Sequence, residues 1–170
     1  DFVYDILKDN EGGLWITTYF GGINYSNPNS SNFTIRHCAT ESARGRIISK
    51  FHEDKNGDIF IGTDDGGLFI YNPIKDKCHR YTIDKSNPNL NIHAIWSNDT
   101  YLWIGTYSKG LYRINHKTKY VEHIPYFEKD GITNESIYSI HEDLSGKIWI
   151  GTKTAIWTWT KKHGFIKEKE

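Results

Sequence analysis

The chain has 170 residues, 37% hydrophobic and 15% aromatic, enough for one ordinary domain with a largely aromatic core. Lys plus Arg equals Asp plus Glu at 21 each, which lacks the electrostatic footprint of a nucleic-acid binder. No apolar run approaches the ~18 residues of a membrane span, and no stretch reads as a signal peptide; with no Met and an opening at Asp1-Phe2, the chain reads as a piece of a longer protein.

The first predicted strand, A, runs from Val3 to Asp9, is rich in β-branched and aromatic residues, and ends on an Asx residue. A turn at Asn10-Glu11-Gly12-Gly13 leads into strand B, Leu14-Trp15-Ile16-Thr17-Thr18. A second turn, Tyr19-Phe20-Gly21-Gly22, leads to strand C at Ile23, and a short polar loop leads to strand D, Phe33 to His37.

This order is written three more times. Strand A recurs as Ile48 to Asp54, Ile92 to Asn98 and Ile137 to Asp143, and strand B as Ile59-Phe60-Ile61-Gly62-Thr63, Leu102-Trp103-Ile104-Gly105-Thr106 and Ile148-Trp149-Ile150-Gly151-Thr152. Strand C restarts at Leu68, Leu111 and Ile156, and strand D at Cys78 to Ile83, Tyr120 to Ile124 and Phe165 to Glu168. The hairpin turns carry Asn56-Gly57 and Ser145-Gly146, pairs in which Gly accepts positive φ at no steric cost. Strand B is apolar on consecutive positions, as a strand dry on both faces is. A Gly inside it marks a bulge or a close backbone approach. Strand D mixes polar and apolar residues, which suits an outer edge.

Steps of 45, 43 and 46 positions separate Trp15, Phe60, Trp103 and Trp149. Four antiparallel strands repeated at such a period predict an all-β fold, a β-propeller of four blades. Blade boundaries fall near Ser42, Asn87 and Thr133, giving 1–42, 43–87, 88–133 and 134–170. A cut between blades leaves apolar faces that recruit a partner. The expectation is a fragment of a larger propeller that packs against neighbouring blades or self-associates.

Cys38 and Cys78 fall at non-equivalent places in the repeat, and two cysteines are no disulfide framework. They are expected as free thiols, with Cys78 in the apolar slot that Phe33, Tyr120 and Phe165 take in the other repeats.

The strings Asp54 through Gly62-Thr63-Asp64-Asp65-Gly66-Gly67-Leu68-Phe69-Ile70-Tyr71-Asn72, and Ile140-His141-Glu142-Asp143-Leu144-Ser145-Gly146-Lys147-Ile148-Trp149-Ile150-Gly151-Thr152, resemble the two-component regulator propeller repeat. Departures are Thr17 for Gly, Phe60 for Trp, Lys109 for the first loop Gly, and Thr154-Ala155 where Gly-Gly is usual. The resemblance implies a setting: the periplasmic sensor region of Bacteroidetes hybrid two-component histidine kinases, which detects oligosaccharides and signals to transcription. Membrane attachment and kinase activity would then lie outside this chain.

No catalytic motif was found. The eight histidines have no zinc spacing, and no nucleophile elbow, P-loop or dinucleotide fingerprint occurs. No cofactor, metal, catalytic residue or nucleic-acid partner is called for. Trp15, Trp103 and Trp149 recur at one position, which reads as packing. Alternatives to sensing are a propeller-type lyase or hydrolase acting on glycans, or a structural spacer, and fold alone does not choose among them.

A ligand is expected on the face formed by the B–C loops and the D–A connections, which are longer and more varied than the hairpin turns opposite. Its side chains are Tyr19, Phe20, Arg44, Arg46, Asp64, Asp65, Asn91, Tyr107, Lys109, Asn134 and Lys153, a mixture suited to a hydroxyl-rich or acidic sugar. The plainer reading of the same residues is a solvated rim.

Overall fold

The computed structural model describes residues 2–18, 22–29, 33–36, 38, 47–124 and 136–168. Among the described residues sixteen strands form four antiparallel sheets, each a meander of four consecutive strands. The chain divides into two compact units, 1–92 and 93–170. Unit 1 holds β1 (Val3–Lys8), β2 (Leu14–Thr18), β3 (Gly22–Ser26) and β4 (Phe33–Arg36) in one sheet, and β5 (Ile48–Glu53), β6 (Ile59–Thr63), β7 (Leu68–Asn72) and β8 (Lys77–Tyr81) in another. Unit 2 holds β9 (Ile92–Ser97, which starts at the unit boundary), β10 (Tyr101–Thr106), β11 (Leu111–Asn115) and β12 (Val121–Ile124), then β13 (Ile137–Glu142), β14 (Ile148–Thr152), β15 (Ile156–Thr160) and β16 (Gly164–Lys167). The expected boundaries at Ser42 and Thr133 lie outside the described residues.

Each residue of the repeated motif has a separate physical task. The aromatic residue is packed away from water: Trp15 and Trp103 are buried, Phe60 nearly so and Trp149 half-buried. The following Ile is in the core at Ile61, Ile104 and Ile150. The Gly position faces a β-bulge, because the A–B register slips between Val3 and Asp5, Ile48 and Lys50, and Ile137 and Ser139. Bulges sharpen strand twist and crowd the opposite backbone. At Gly151 an added Cβ would fall 2.4 Å from Ser139 Oγ across the bulge, whereas at Gly105 it would fall 2.5 Å from Ile137 Cγ2 on the neighbouring sheet. Thr17 is accommodated at the same position because its hydroxyl accepts from the Asp5 N–H at 2.8 Å. The final Thr closes the next loop, with Thr63 Oγ1 donating to Gly67 O at 2.8 Å, Thr106 Oγ1 to Gly110 O at 2.7 Å and Thr152 Oγ1 to Ala155 O at 3.0 Å.

The Asx residue that ends strand A ties the hairpin to the aromatic residue six positions on. Asp9 Oδ1 accepts from Gly13 N at 2.6 Å while Oδ2 accepts from Trp15 Nε1 at 2.8 Å. Asp143 does the same with Lys147 N at 3.1 Å and Trp149 Nε1 at 2.7 Å. Where Phe60 replaces Trp, Asn56 Nδ2 supplies the donor to Asp54 at 3.0 Å. In the third repeat the turn is one residue shorter and Asn98 turns to Tyr101 N at 2.9 Å, leaving Trp103 Nε1 buried with no hydrogen-bond partner among the described residues.

Within unit 1 the two sheets pack through Trp15, Ile23, Phe51, Ile59, Ile61 and Tyr71. Asp5 crosses between them, accepting from Phe51 N at 3.0 Å and pairing with Lys50 Nζ at 3.3 Å. Unit 2 packs in the same manner through Trp103, Leu111, Ile137, Ile148, Ile150 and Trp157.

Two expectations are corrected. Cys38 and Cys78 form a disulfide, with Cα atoms 5.3 Å apart. Cys38 lies just beyond β4 and Cys78 on β8, so the bond staples the two sheets of unit 1. Sequence position hid this, because two non-equivalent sites can face each other across neighbouring sheets. The slot equivalent to Cys78 is filled by Val121 and not Tyr120: Cys78 pairs with Tyr71 and Val121 with the equivalent Ile114, while Tyr120 is exposed.

Candidate functional site

Of the eleven expected ligand contacts, Tyr19, Phe20, Arg44, Arg46 and Asn134 lie outside the described residues. In unit 1, Asp64 and Asp65 sit on the β6–β7 loop, Asp64 half-buried with its N–H donating to Ile47 O at 3.0 Å, and Asp65 exposed. Gly67 is required there: its φ is +79° and a Cβ would meet Pro88 O at 2.7 Å. The β6–β7 loop therefore lies close against the segment leading to β9, on which Asn91 lies. The Asn91 side-chain oxygen is buried with no hydrogen-bond partner among the described residues.

In unit 2, Tyr107 is half exposed on the β10–β11 loop and sits 5.6 Å from the His93 ring. His93 in turn lies 5.7 Å from Tyr138, itself 46% exposed. The loop is positioned by Ser108, whose N–H donates to Ser136 Oγ at 3.1 Å from a left-handed backbone (φ 62°). Lys109 is exposed on the same loop and its carbonyl meets His123 Nε2 at 2.7 Å. Lys153 is exposed on the β14–β15 loop. The structure thus joins Tyr107 to two aromatic residues, His93 and Tyr138, that start strands β9 and β13 and were not singled out from sequence. Their position at the head of strand A, beside the B–C loop, is the signal that could have found them.

The hairpin-turn side carries a cavity in unit 1 of about 400 Å³. The turns are short, but the space between them is set by side chains, not by loop length. Its floor is aromatic: Trp15 lies 4.5 Å from Tyr25 and 5.3 Å from Tyr71, ring centre to ring centre. Its polar wall is Asp9, Glu11 and Glu53, with Lys55 at the exposed rim. Glu53 Oε2 accepts from the Asn10 N–H at 3.2 Å. Burial raises the Glu53 pKa above its ordinary value, the Asn10 N–H opposes this, and the charges of Asp9 and Asp54 add to it. The Tyr25 hydroxyl is pushed up by burial and then by Asp9 and Glu11. Among the described residues no three His, Cys, Asp or Glu side chains are placed to hold a metal ion.

Comparison with known proteins places these repeats. Residues 1–20 match the family described as two component regulator propeller. A histidine kinase of Formosa agariphila is 27% identical over 138 residues, covering 78% of this chain and 10% of its own. The extracellular domain of a hybrid two component system from B. thetaiotaomicron shares the fold at a TM-score of 0.79 and 24% identity, over 98% of this chain and 22% of that one. The extracellular domain of a one component system from the same organism does so at 0.75 and 20%, over 100% and 23%. A catalytically inactive virginiamycin B lyase from Staphylococcus aureus, solved with quinupristin, does so at 0.76 and 15%, over 99% and 55%. The chain therefore spans about a tenth of the curated relative and under a quarter of the B. thetaiotaomicron chains. At these identities the structural likeness carries the fold and nothing of the chemistry. The match to the two component regulator propeller family is confined to residues 1–20, and the fold of the chain is that of a β-propeller.

Proposed function

We propose that this chain is a ligand-sensing propeller segment from the periplasmic region of a membrane-bound hybrid two-component system, that it recognises an oligosaccharide, and that it performs no chemistry itself. The observation that carries the reading is the likeness to the extracellular domains of a hybrid two component system and of a one component system along essentially the whole chain. Two features of the molecule agree with it. The Cys38–Cys78 bond belongs to an oxidising compartment. The half-exposed rings of Tyr107 and Tyr138, bracketing His93, offer flat apolar faces of the kind that stack on a sugar, with Lys109 beside them. The exposed apolar side chains Val3 and Ile6 on β1 are where a further blade of the parent protein, or a second copy, would pack.

The test is calorimetry of the chain against a panel of neutral and acidic oligosaccharides, with chromatography of the same mixtures. Saturable heat without new products is the expected result. Tyr107→Ala should weaken that binding at least tenfold, about 1.4 kcal/mol. Depletion of a glycan with appearance of products would replace sensing by a lyase or hydrolase. An unchanged affinity in Tyr107→Ala would remove this loop face from the site.

A further inference from the structure

The two units solve one packing problem in two ways, and the difference points to a ligand. In unit 2 the register places Arg113 opposite Trp103, and Trp159 opposite Ile148 on the next sheet. The Arg113 guanidinium lies 4.7 Å from the Tyr101 ring centre, 5.1 Å from Trp103 and 4.7 Å from Trp159, and Arg113 Nε donates to Glu122 at 3.0 Å. Three rings therefore surround a cation that the chain itself supplies. Beside it, Glu142 accepts from Asn98 Nδ2 at 3.0 Å and from Trp96 Nε1 at 3.2 Å, which ties the ends of two A strands together.

In unit 1 the same registers place Tyr25 opposite Trp15, and Tyr71 opposite Ile59. The Arg113 position is thus Tyr25. Its ring lies over Gly13, where a Cβ would fall 2.4 Å from the Tyr25 hydroxyl; Gly13 is the residue equivalent to Tyr101. Tyr25 therefore builds the wall that Tyr101 builds in unit 2, and the guanidinium has no counterpart. What remains is the cavity of about 400 Å³. The acid–amide contact changes in the same sense. Glu53 is equivalent to Glu142, but Asp9 stands where Asn98 stands, so Glu53 takes its hydrogen bonds from Asn10 and has a second carboxylate beside it. With Glu11 and the rim ammonium of Lys55, the lining carries three acids against one base.

We propose that this cavity is a binding site for a small organic cation of the guanidinium or alkylammonium class, held over Trp15, Tyr25 and Tyr71 and paired with Glu53 and its neighbouring acids. This site is independent of the loop face and of the oligosaccharide reading. The cage is one the chain already uses for its own arginine, and its volume suits a small ligand.

The test uses agmatine as probe, with putrescine as the ammonium arm and glucose as the neutral control. Binding to the 170-residue chain is followed by the NMR cross-peak of the Trp15 indole N–H, which the ligand would cover, while the Trp103 and Trp157 cross-peaks report that unit 2 stays folded. Agmatine should shift the Trp15 peak saturably at millimolar concentrations or below, and glucose should not. Glu53→Gln keeps an acceptor for the Asn10 N–H but removes the charge, and should weaken agmatine at least about fivefold. Tyr25→Arg places a guanidinium in the cage from within and should abolish the response. No saturable shift with either cation overturns the proposal. So does a response matched by glucose, or one retained at full strength in both folded variants.

Discussion

Gly105 and Gly151 occupy one position of the repeat, yet their replacement by Ala should have different costs. Neither has a positive φ, so the difference is one of space. At Gly105 a new Cβ would meet Ile137 Cγ2 at 2.5 Å, Ile137 Cβ at 2.7 Å and the Ala94 Cβ at 3.0 Å. Ile137 and Ala94 are buried, and a Cβ moves only with its backbone, so the strands themselves must separate. Overpacking of this kind costs about 1–3 kcal/mol. At Gly151 the close atom is Ser139 Oγ at 2.4 Å, while Ser139 Cβ stands off at 3.7 Å. Ser139 is exposed and its hydroxyl can turn to another rotamer, so Gly151→Ala should cost less than about 1 kcal/mol. Urea unfolding gives both numbers directly, and calorimetry should show a midpoint lower by about 2–4 °C for each kcal/mol lost in a chain of this length. If Gly105→Ala is as stable as the unmutated chain, or if the two variants lose the same amount, steric approach is not why Gly recurs in the motif.

Stability should fall on mild acidification. Burial lowers the His52 pKa from 6.5 to about 4 against the opposing pull of Asp54, so the unfolded chain binds a proton that the folded chain refuses. The stability present above pH ~6.5 should drop by about 2 kcal/mol by pH ~5, and His52→Gln should flatten that slope in urea titrations. Asp143 works below that window: the Ser145 hydroxyl and then the Trp149 indole hold its carboxyl under the usual range, so its contribution is present above the ordinary carboxylate pKa and is lost as pH falls from there through the lowered folded pKa. Reduction of Cys38–Cys78, which closes a separation of 40 residues, should cost about 3–4 kcal/mol, read as a lower urea midpoint in reductant; a shift below about 1 kcal/mol would mean that the two sheets of unit 1 stay docked when unfolded. Arg113→Ala should cost about 2 kcal/mol through the emptied aromatic cage and the lost ion pair with Glu122, with a change in tryptophan emission from Trp103 and Trp159.

The repeat was legible because its residues act locally. Asp9, Gly13 and Trp15 meet within one hairpin, as do Thr63 and Gly67 within one loop, and such contacts recur in sequence at the spacing at which they occur in space. What stayed hidden depends on neighbouring sheets. Cys38 and Cys78 are brought together by packing between repeats, and so are Trp15 with Tyr71 and Arg113 with Trp159. A single repeat read alone says nothing of which side chain its neighbour presents. The cavity of unit 1 was hidden in the same way: it is walled by Tyr25 lying over Gly13, two residues with no sequence signature of a site. His93 and Tyr138 escaped attention for a different reason, since both begin strands and a strand-start aromatic reads as core, whereas the structure leaves Tyr138 half exposed.

Every sheet is made of four strands consecutive in the chain, with no strand borrowed from another repeat. The backbone hydrogen bonds of a sheet are therefore all internal to about 35 residues of chain, and deletion or duplication of one whole repeat would break none of the ladders in the others. Only the side-chain surfaces at the new junction would have to be rematched, through residues at the positions of Tyr25, Tyr71, Arg113 and Trp159. An architecture of this kind can lengthen or shorten by recombination at a cost confined to one seam, and each seam is free to drift toward a filled cage or an open one.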